Sequence, residues 1–267
     1  MRRADISHIP YRLLAVAILV SLMASACEHA VASRAAIQSG SSGVSLFHEP
    51  LTLRSAHGNP LCPGPSTRIG IQLSEKVTAR SAPNPSAPPI ATFSRTNPQG
   101  SPQVFDLLTG VRSRDGTYWA KALLPVRPDG ATGYLPQASL RTTWTPYAIG
   151  ASLTHLRLTL WKGCRVVATY PVGVGTGETP TPIGLFYLAS LLRPPNPNGV
   201  YGEYAYGLSG YSNVIKNWQW GGLIGLHGTN DPSSVGRRVS HGCIRMRNSD
   251  IASLVRILPL GTPIAIA

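Results

Sequence analysis

Beyond residue 70 the apolar residues of this chain come in short runs, and most runs end at glycine, proline or an Asp-Gly pair. Long helices do not survive such punctuation: proline lacks the backbone donor and glycine loses the most entropy on ordering. Short strands do survive it. The 267 residues include 27 Gly and 24 Pro, and only 13% are charged, so the chain is expected to be mainly β. Its length suits one large or two modest domains. Net charge is +13, from 24 Lys+Arg against 11 Asp+Glu. The basic residues are scattered rather than blocked, which argues against nucleic acid and for an anionic polymer or wall surface as partner.

Four segments are expected along the chain. Residues 1–26 read as a signal peptide: Arg2, Arg3 and Arg12 precede an apolar core from Leu13 to Met23, and Ala24-Ser25-Ala26 supplies small cleavage residues. The core is short for a membrane span, though an uncleaved anchor is the alternative. Cys27 after the small residues leaves lipid attachment open. Residues 27–69, rich in Ser, Gly, Ala and Pro, read as a flexible linker. Residues 70–143 carry short strand candidates, with Asp115-Gly116 and Asp129-Gly130 as turns. The order of an Ala-Arg-Ser-Ala-Pro run at 79–83, Asp-Gly-Thr-Tyr-Trp-Ala at 115–120 and Gly-Tyr-Leu-Pro at 133–136 resembles bacterial SH3-like domains. That resemblance implies a small barrel that either binds wall or peptide or only spaces the next domain.

The last segment, 149–267, carries the chemistry. Leu223 to Leu226 reads as a buried strand that delivers His227, followed by a turn-forming run from Gly228 to Pro232. Ser240-His241-Gly242-Cys243 follows, then Ile244 and Met246 as another short strand. Thiol and imidazole on one strand–loop–strand unit are the parts of a cysteine-nucleophile site, since a thiol needs a base or a positive environment to attack. His227 is the candidate base. The N–H groups of Gly242 and Cys243 are expected to hold an oxyanion. Arginines 237, 238, 245 and 247 are expected to favour thiolate wherever they face it. The competing readings are a buried structural cysteine and a metal site of His227, His241 and Cys243, which lacks a second cysteine or a CxxC pair.

The stretch HGTNDPSSVGRRVSHGCIRM resembles the signature of the YkuD-type L,D-transpeptidase catalytic domain, and VGVGTGETPTPIGLFY at 172–187 resembles the Pro-Thr-Pro block of the same family. The resemblance implies a β-sandwich with a short helix. It also implies a secreted or surface-held acyltransferase that acts on peptidoglycan stem peptides without a cofactor or metal. Cys243 would attack the stem, release D-Ala and transfer the acyl group to an acceptor amine, forming 3→3 cross-links. A stem-peptide hydrolase and a non-catalytic wall-binding protein are the rival classes. Ser240 and Gly228 are expected to support the site, His241 either to orient it or only to pack, and by the same resemblance Arg245 either holds a stem carboxylate or braces the loop. The Tyr-rich segment around Tyr211 is expected to shape the donor groove or simply to pack on the surface. Asn248 or Ser249 is expected to cap a helix with Ile251, Leu254, Val255 and Leu258 on its inner face. Cys62 and Cys164 remain as a candidate pair whose geometry spacing cannot give. Oligomeric state is not legible.

Overall fold

The structure is a computed structural model that describes residues 66–267. The expected signal peptide, Cys27, Cys62 and nearly all of the expected linker lie outside the described residues. The linker does not run to 69, because the first strand already begins at Thr67. Cys164 is disulfide-bonded.

Two sheets account for most of the described chain. The first is made of β1 (Thr67–Gln72), β2 (Lys76–Arg80), β3 (Pro89–Ser94), β4 (Val104–Arg112), β5 (Tyr118–Leu123), β6 (Thr132–Pro136) and β7 (Leu140–Thr145). Their order is β3-β2-β6-β5-β4-β1-β7, and every pairing is antiparallel. Alternation explains the register: Val77, Ala79, Phe93, Phe105, Leu107, Ala120, Ala122 and Leu135 point into one core, while the intervening positions are polar or small.

The second sheet starts at β8 (Tyr147–Ser152), two residues before the expected boundary, and continues with β9 (Arg157–Lys162) and β10 (Arg165–Pro171). The short β11 (Val174–Gly175) comes next, then the two nine- and seven-residue strands β12 (Gly184–Leu192) and β13 (Ala205–Tyr211). The motif strand β14 (Leu223–His227) precedes β15 (Arg238–Ser240) and β16 (Ile244–Arg245). The single α-helix of the described residues, α1 (Asn248–Val255), precedes the closing β17 (Pro263–Ile266). The sheet order is β10-β9-β8-β17-β12-β13-β14-β16, and β11 pairs with β15 as a separate parallel ribbon. The protein is thus mainly β with one short helix, as expected. Ile251 and Leu254 of α1 are buried against the strand side chains of this sheet. Neither Asn248 nor Ser249 caps the helix; Arg247 occupies that position without a side-chain cap bond.

A small shared core joins the sheets: Ile69, Val104 and Leu123 of the first pack with Tyr187 and Ala189 of the second. Tyr187 donates its hydroxyl to Val104 O at 3.0 Å, and Asn97 Nδ2 donates to Ala189 O at 3.1 Å. Beside this seam on β4 lies Asp106, only 4% exposed. Burial pushes its carboxyl up to about 7 from an ordinary 3.8. A carboxyl with a raised folded pKa contributes its full stability below 3.8 and loses it as pH rises through 7. At about 1.4 kcal/mol per unit, wild type should lose on the order of 2–4 kcal/mol from this residue between pH 4 and 8. Asp106→Asn, neutral throughout, should remove that slope and melt higher than wild type at pH 8. Denaturant unfolding at the two pH values checks it; equal slopes in both proteins would refute a protonated Asp106.

Candidate active site

β14 and β16 run parallel, with Leu226 opposite Ile244 and His227 opposite Arg245. Side chains alternate across a strand, so the pairing sorts the motif into two faces. Ile224, Leu226, Ile244 and Met246 go into the core. Gly225 and His227 of β14, with Cys243 just before β16 and Arg245 within it, share the opposite face. Gly225 N–H donates to Cys243 Sγ at 3.3 Å. A Cβ placed on Gly225 would lie 3.3 Å from His227 Cδ2 and 3.6 Å from Cys243 Sγ. The missing side chain is therefore what lets the imidazole edge and the thiol flank one small space. Gly225 carries no chemistry of its own in the sequence; its i, i+2 spacing from His227 is the signal that puts it on this face.

His227 is buried, 3% exposed, and its Nδ1 contacts Gly228 O at 2.5 Å. A carbonyl oxygen only accepts, so Nδ1 carries the proton and Nε2, next to Cδ2, carries the lone pair. Burial pulls the imidazole pKa down to about 4, against the Gly228 contact that favours the charged form; Arg245 lowers it further. Burial likewise pushes the Cys243 thiol up from its ordinary value, with the Gly225 N–H and Arg245 acting in the opposite sense. The resting pair is thus neutral thiol and neutral imidazole. The expected crowd of arginines does not hold a thiolate: Arg238 Nη2 donates to Leu153 O at 2.7 Å, and Arg247 is exposed at the helix start. Arg245 alone of the four acts on the thiol, and desolvation outweighs it. Its Nε is buried without a partner among the described residues.

The turn before the thiol is fixed by Ser240, whose Oγ donates to Cys243 O at 2.5 Å and accepts from Gly242 N at 3.1 Å. One half of the expected oxyanion pair, the Gly242 N–H, is therefore already engaged; Cys243 N–H is the remaining member. Ser240 O in turn accepts from Thr179 Oγ1 and Thr176 N, each at 3.1 Å, which docks the turn onto the Pro-Thr-Pro segment. His241 is exposed and stacks on Trp218, centroids 6.3 Å apart and planes 14° apart. Tyr201 meets the His227 ring edge-to-face at 5.0 Å. Tyr211 does not reach this site in the way expected. Its hydroxyl donates to Pro125 O at 3.0 Å and its ring lies under Arg127, so it is committed to the seam with the first sheet.

Asn248 is a site residue that sequence reading assigned to the helix. Its Oδ1 accepts from Thr229 N at 2.9 Å. A Cβ on Gly228 or Gly202 would come within 2.1 or 2.2 Å of that same oxygen, so both glycines are there to let the amide in. Gly228, which holds His227 Nδ1, is thereby locked by Asn248. Asn248→Ala should leave the Thr229 donor unsatisfied and cost about 1–3 kcal/mol. It should also slow acylation of Cys243 by about 10- to 100-fold through the loosened His227. Thermal melts and single-turnover acylation read the two effects; full rate in a destabilised variant would show that Asn248 holds the fold but not the histidine.

Residues 146–266 match the family model for the L,D-transpeptidase catalytic domain, YkuD. A putative L,D-transpeptidase YkuD of Bacillus licheniformis is 43% identical over 121 residues, 45% of this chain and 66% of the relative's length. The putative L,D-transpeptidase YqjB of Bacillus subtilis is 32% identical over 126 residues, 45% of this chain and 70% of that relative. A solved structure, Bd1075 of Bdellovibrio bacteriovorus, aligns over 46% of this chain and 47% of its own at 30% identity and a TM-score of 0.36. The matched segment runs from the first strand of the second sheet to its last, and it contains the paired strands that bring His227 and Cys243 together. The chain therefore belongs to the YkuD family of L,D-transpeptidase catalytic domains.

Proposed function

We propose that this chain is a cysteine L,D-transpeptidase of peptidoglycan. The observation that carries the reading is the shared face on which Cys243 and the unprotonated edge of His227 flank the empty Gly225 position. A buried neutral base beside a half-buried neutral thiol suits general-base attack better than a standing thiolate.

In the first half-reaction His227 Nε2 takes the Cys243 proton as sulfur bonds to the carbonyl between the third stem residue and the terminal D-Ala. The oxyanion is held by the Cys243 N–H; the Gly242 N–H joins it only on release from Ser240 Oγ. Collapse breaks the C–N bond, and His227 returns the proton to the departing D-Ala amine. The stem is then a thioester on Cys243. In the second half-reaction an acceptor amine attacks, His227 takes its proton, the C–S bond breaks, and the sulfur recovers the proton. The product is an amide between two stems, a 3→3 cross-link, and no cofactor enters the balance.

Arg245, with a buried Nε that lacks a partner among the described residues, is the proposed anchor for a stem carboxylate. The first sheet is proposed as an SH3-like module within 70–143, ahead of a catalytic domain over 149–267. The protein is proposed to act outside the cytoplasm on the wall, where its net charge of +13 suits an anionic surface. Incubation with a tetrapeptide donor, with and without an acceptor amine, tests the reading by mass analysis of products. D-Ala release with a cross-linked dimer supports transpeptidation. Release of D-Ala with free tripeptide alone, even at high acceptor concentration, would make the protein a hydrolase instead.

A further inference from the structure

Between β13 and β14 the chain makes a loop, residues 212–222, closed at its base by Ser212 N–H donating to Gly222 O at 2.7 Å. Gly222 has φ +77, and a Cβ there would meet Ile215 O at 1.9 Å, so only glycine closes this base. The loop leads straight into the strand that carries His227. It also carries Trp218, which stacks on His241 two residues before the thiol. Trp218 is 56% exposed, and Val214 and Trp220 on the same loop are 55% and 42% exposed.

What fixes this loop comes from the other sheet. The turn between β5 and β6 closes with Leu124 N–H on Ala131 O at 2.8 Å and presents Arg127. Arg127 Nη2 donates to Ser212 O and to Gly221 O, both at 2.9 Å, and so bridges the two sides of the loop base. Its guanidinium lies 5.1 Å from the Tyr211 ring centroid. Asp129 Oδ1 accepts from Tyr211 N at 3.0 Å, and Tyr211 donates its hydroxyl to Pro125 O at 3.0 Å. Five contacts from one turn thus converge on residues 211–221. Arg127 is itself exposed, so it anchors the loop without belonging to either core.

We propose that the β5–β6 turn sets one wall of the thiol site, with Arg127 as a positioning residue and Trp218, stacked on His241, as the specificity-determining residue that packs against the peptide donor. This rests on the peptide-donor reading above. The planar guanidinium satisfies two carbonyls at once while stacking on Tyr211, a combination that a lysine ammonium does not reproduce. The first sheet then acts on catalysis through substrate binding and not through the reacting atoms.

The test uses the full chain with Arg127→Ala, Arg127→Lys and Trp218→Ala. In Arg127→Ala, amide hydrogen exchange across 213–221 should rise about ten-fold or more, while 223–227 keeps wild-type protection. The same variant should raise KM for a tetrapeptide donor about ten-fold with kcat within about three-fold, the pattern of lost binding uniform to ground and transition state. Trp218→Ala, whose exposed side chain leaves the fold intact, should reproduce the KM change, and Arg127→Lys should recover only part of it. Alkylation of Cys243 by iodoacetamide, which needs no peptide wall, should stay near the wild-type rate in all three. Unchanged exchange in Arg127→Ala would overturn the clamp, and an unchanged KM in Trp218→Ala would overturn the wall. A fall in kcat at constant KM would overturn both in favour of a role at the reacting atoms. Should wild type turn over no peptide donor, the transpeptidase reading and the donor wall fail together, and the exchange data alone decide whether the clamp stands.

Discussion

Cys243→Ala should yield neither a covalent donor adduct nor a cross-linked product, while its melting temperature stays within about 2–4 °C of wild type. The small thermal change follows from the packing: the side chain is half-buried, and its hydrogen-bond partner among the described residues is a weak N–H···S contact from Gly225 at 3.3 Å. The complete chemical loss follows from the absence of a substitute. Cys243 is the free cysteine among the described residues, and Cys164 is committed to a disulfide. Cys243→Ser separates the two demands further. It keeps a hydroxyl of similar size, but at a pKa far above that of a thiol the neutral His227 has too little driving force to activate it. Residual turnover near wild type in either variant would mean that another group carries the acyl chain.

His227→Ala is the second large effect. A general base inside a closed site contributes about 100- to 10,000-fold, and acylation should slow by that factor. The pH profile gives a sharper signature. The imidazole is pulled down to about 4 by burial, so acylation should hold its rate from neutral pH down to about 5 and fall below 4. An ordinary imidazole would place that fall near 6.5. Stability follows the same residue with a definite sign. The unfolded chain binds the proton at 6.5 and the folded chain only near 4, so His227 contributes fully above 6.5 and loses its contribution as pH falls towards 4. Asp106 works the other way over the same interval. Acid weakens the protein through the histidine and strengthens it through the aspartate, so the double variant His227→Ala/Asp106→Asn should show a flatter stability profile than either single variant.

Much of this was legible in the sequence because the governing signals are local. Turn formers marked the strands of the first sheet, the apolar run marked the motif strand, and the apolar spacing in 251–258 marked the helix. The His-Gly and Ser-His-Gly-Cys blocks carried the family. The remainder depends on contacts between residues far apart in the chain. Gly225 looks like a defect in a strand until parallel pairing with β16 places it between the imidazole and the thiol. Asn248 has the composition of a cap, yet its carbonyl oxygen is spent on Thr229, nineteen residues earlier. Tyr211 sits in a run of aromatics that suggests a groove, and only the approach of Pro125 and Arg127 assigns it to the seam. The arginines near the thiol argued for thiolate by proximity in sequence; burial, which no local pattern reports, decides the opposite.

The central claim is that Cys243 is an acylable thiol with His227 as its base, and intact-mass spectrometry of the purified protein with a carbapenem tests it most directly. The strained β-lactam amide needs no stem-peptide groove, so the result reports on the thiol and its base alone. The account predicts a mass gain of one β-lactam on wild type, none on Cys243→Ala, and a gain slowed by about 100-fold or more on His227→Ala. Folded wild type that gains no mass, or a Cys243→Ala protein that gains it as fast as wild type, would contradict the account.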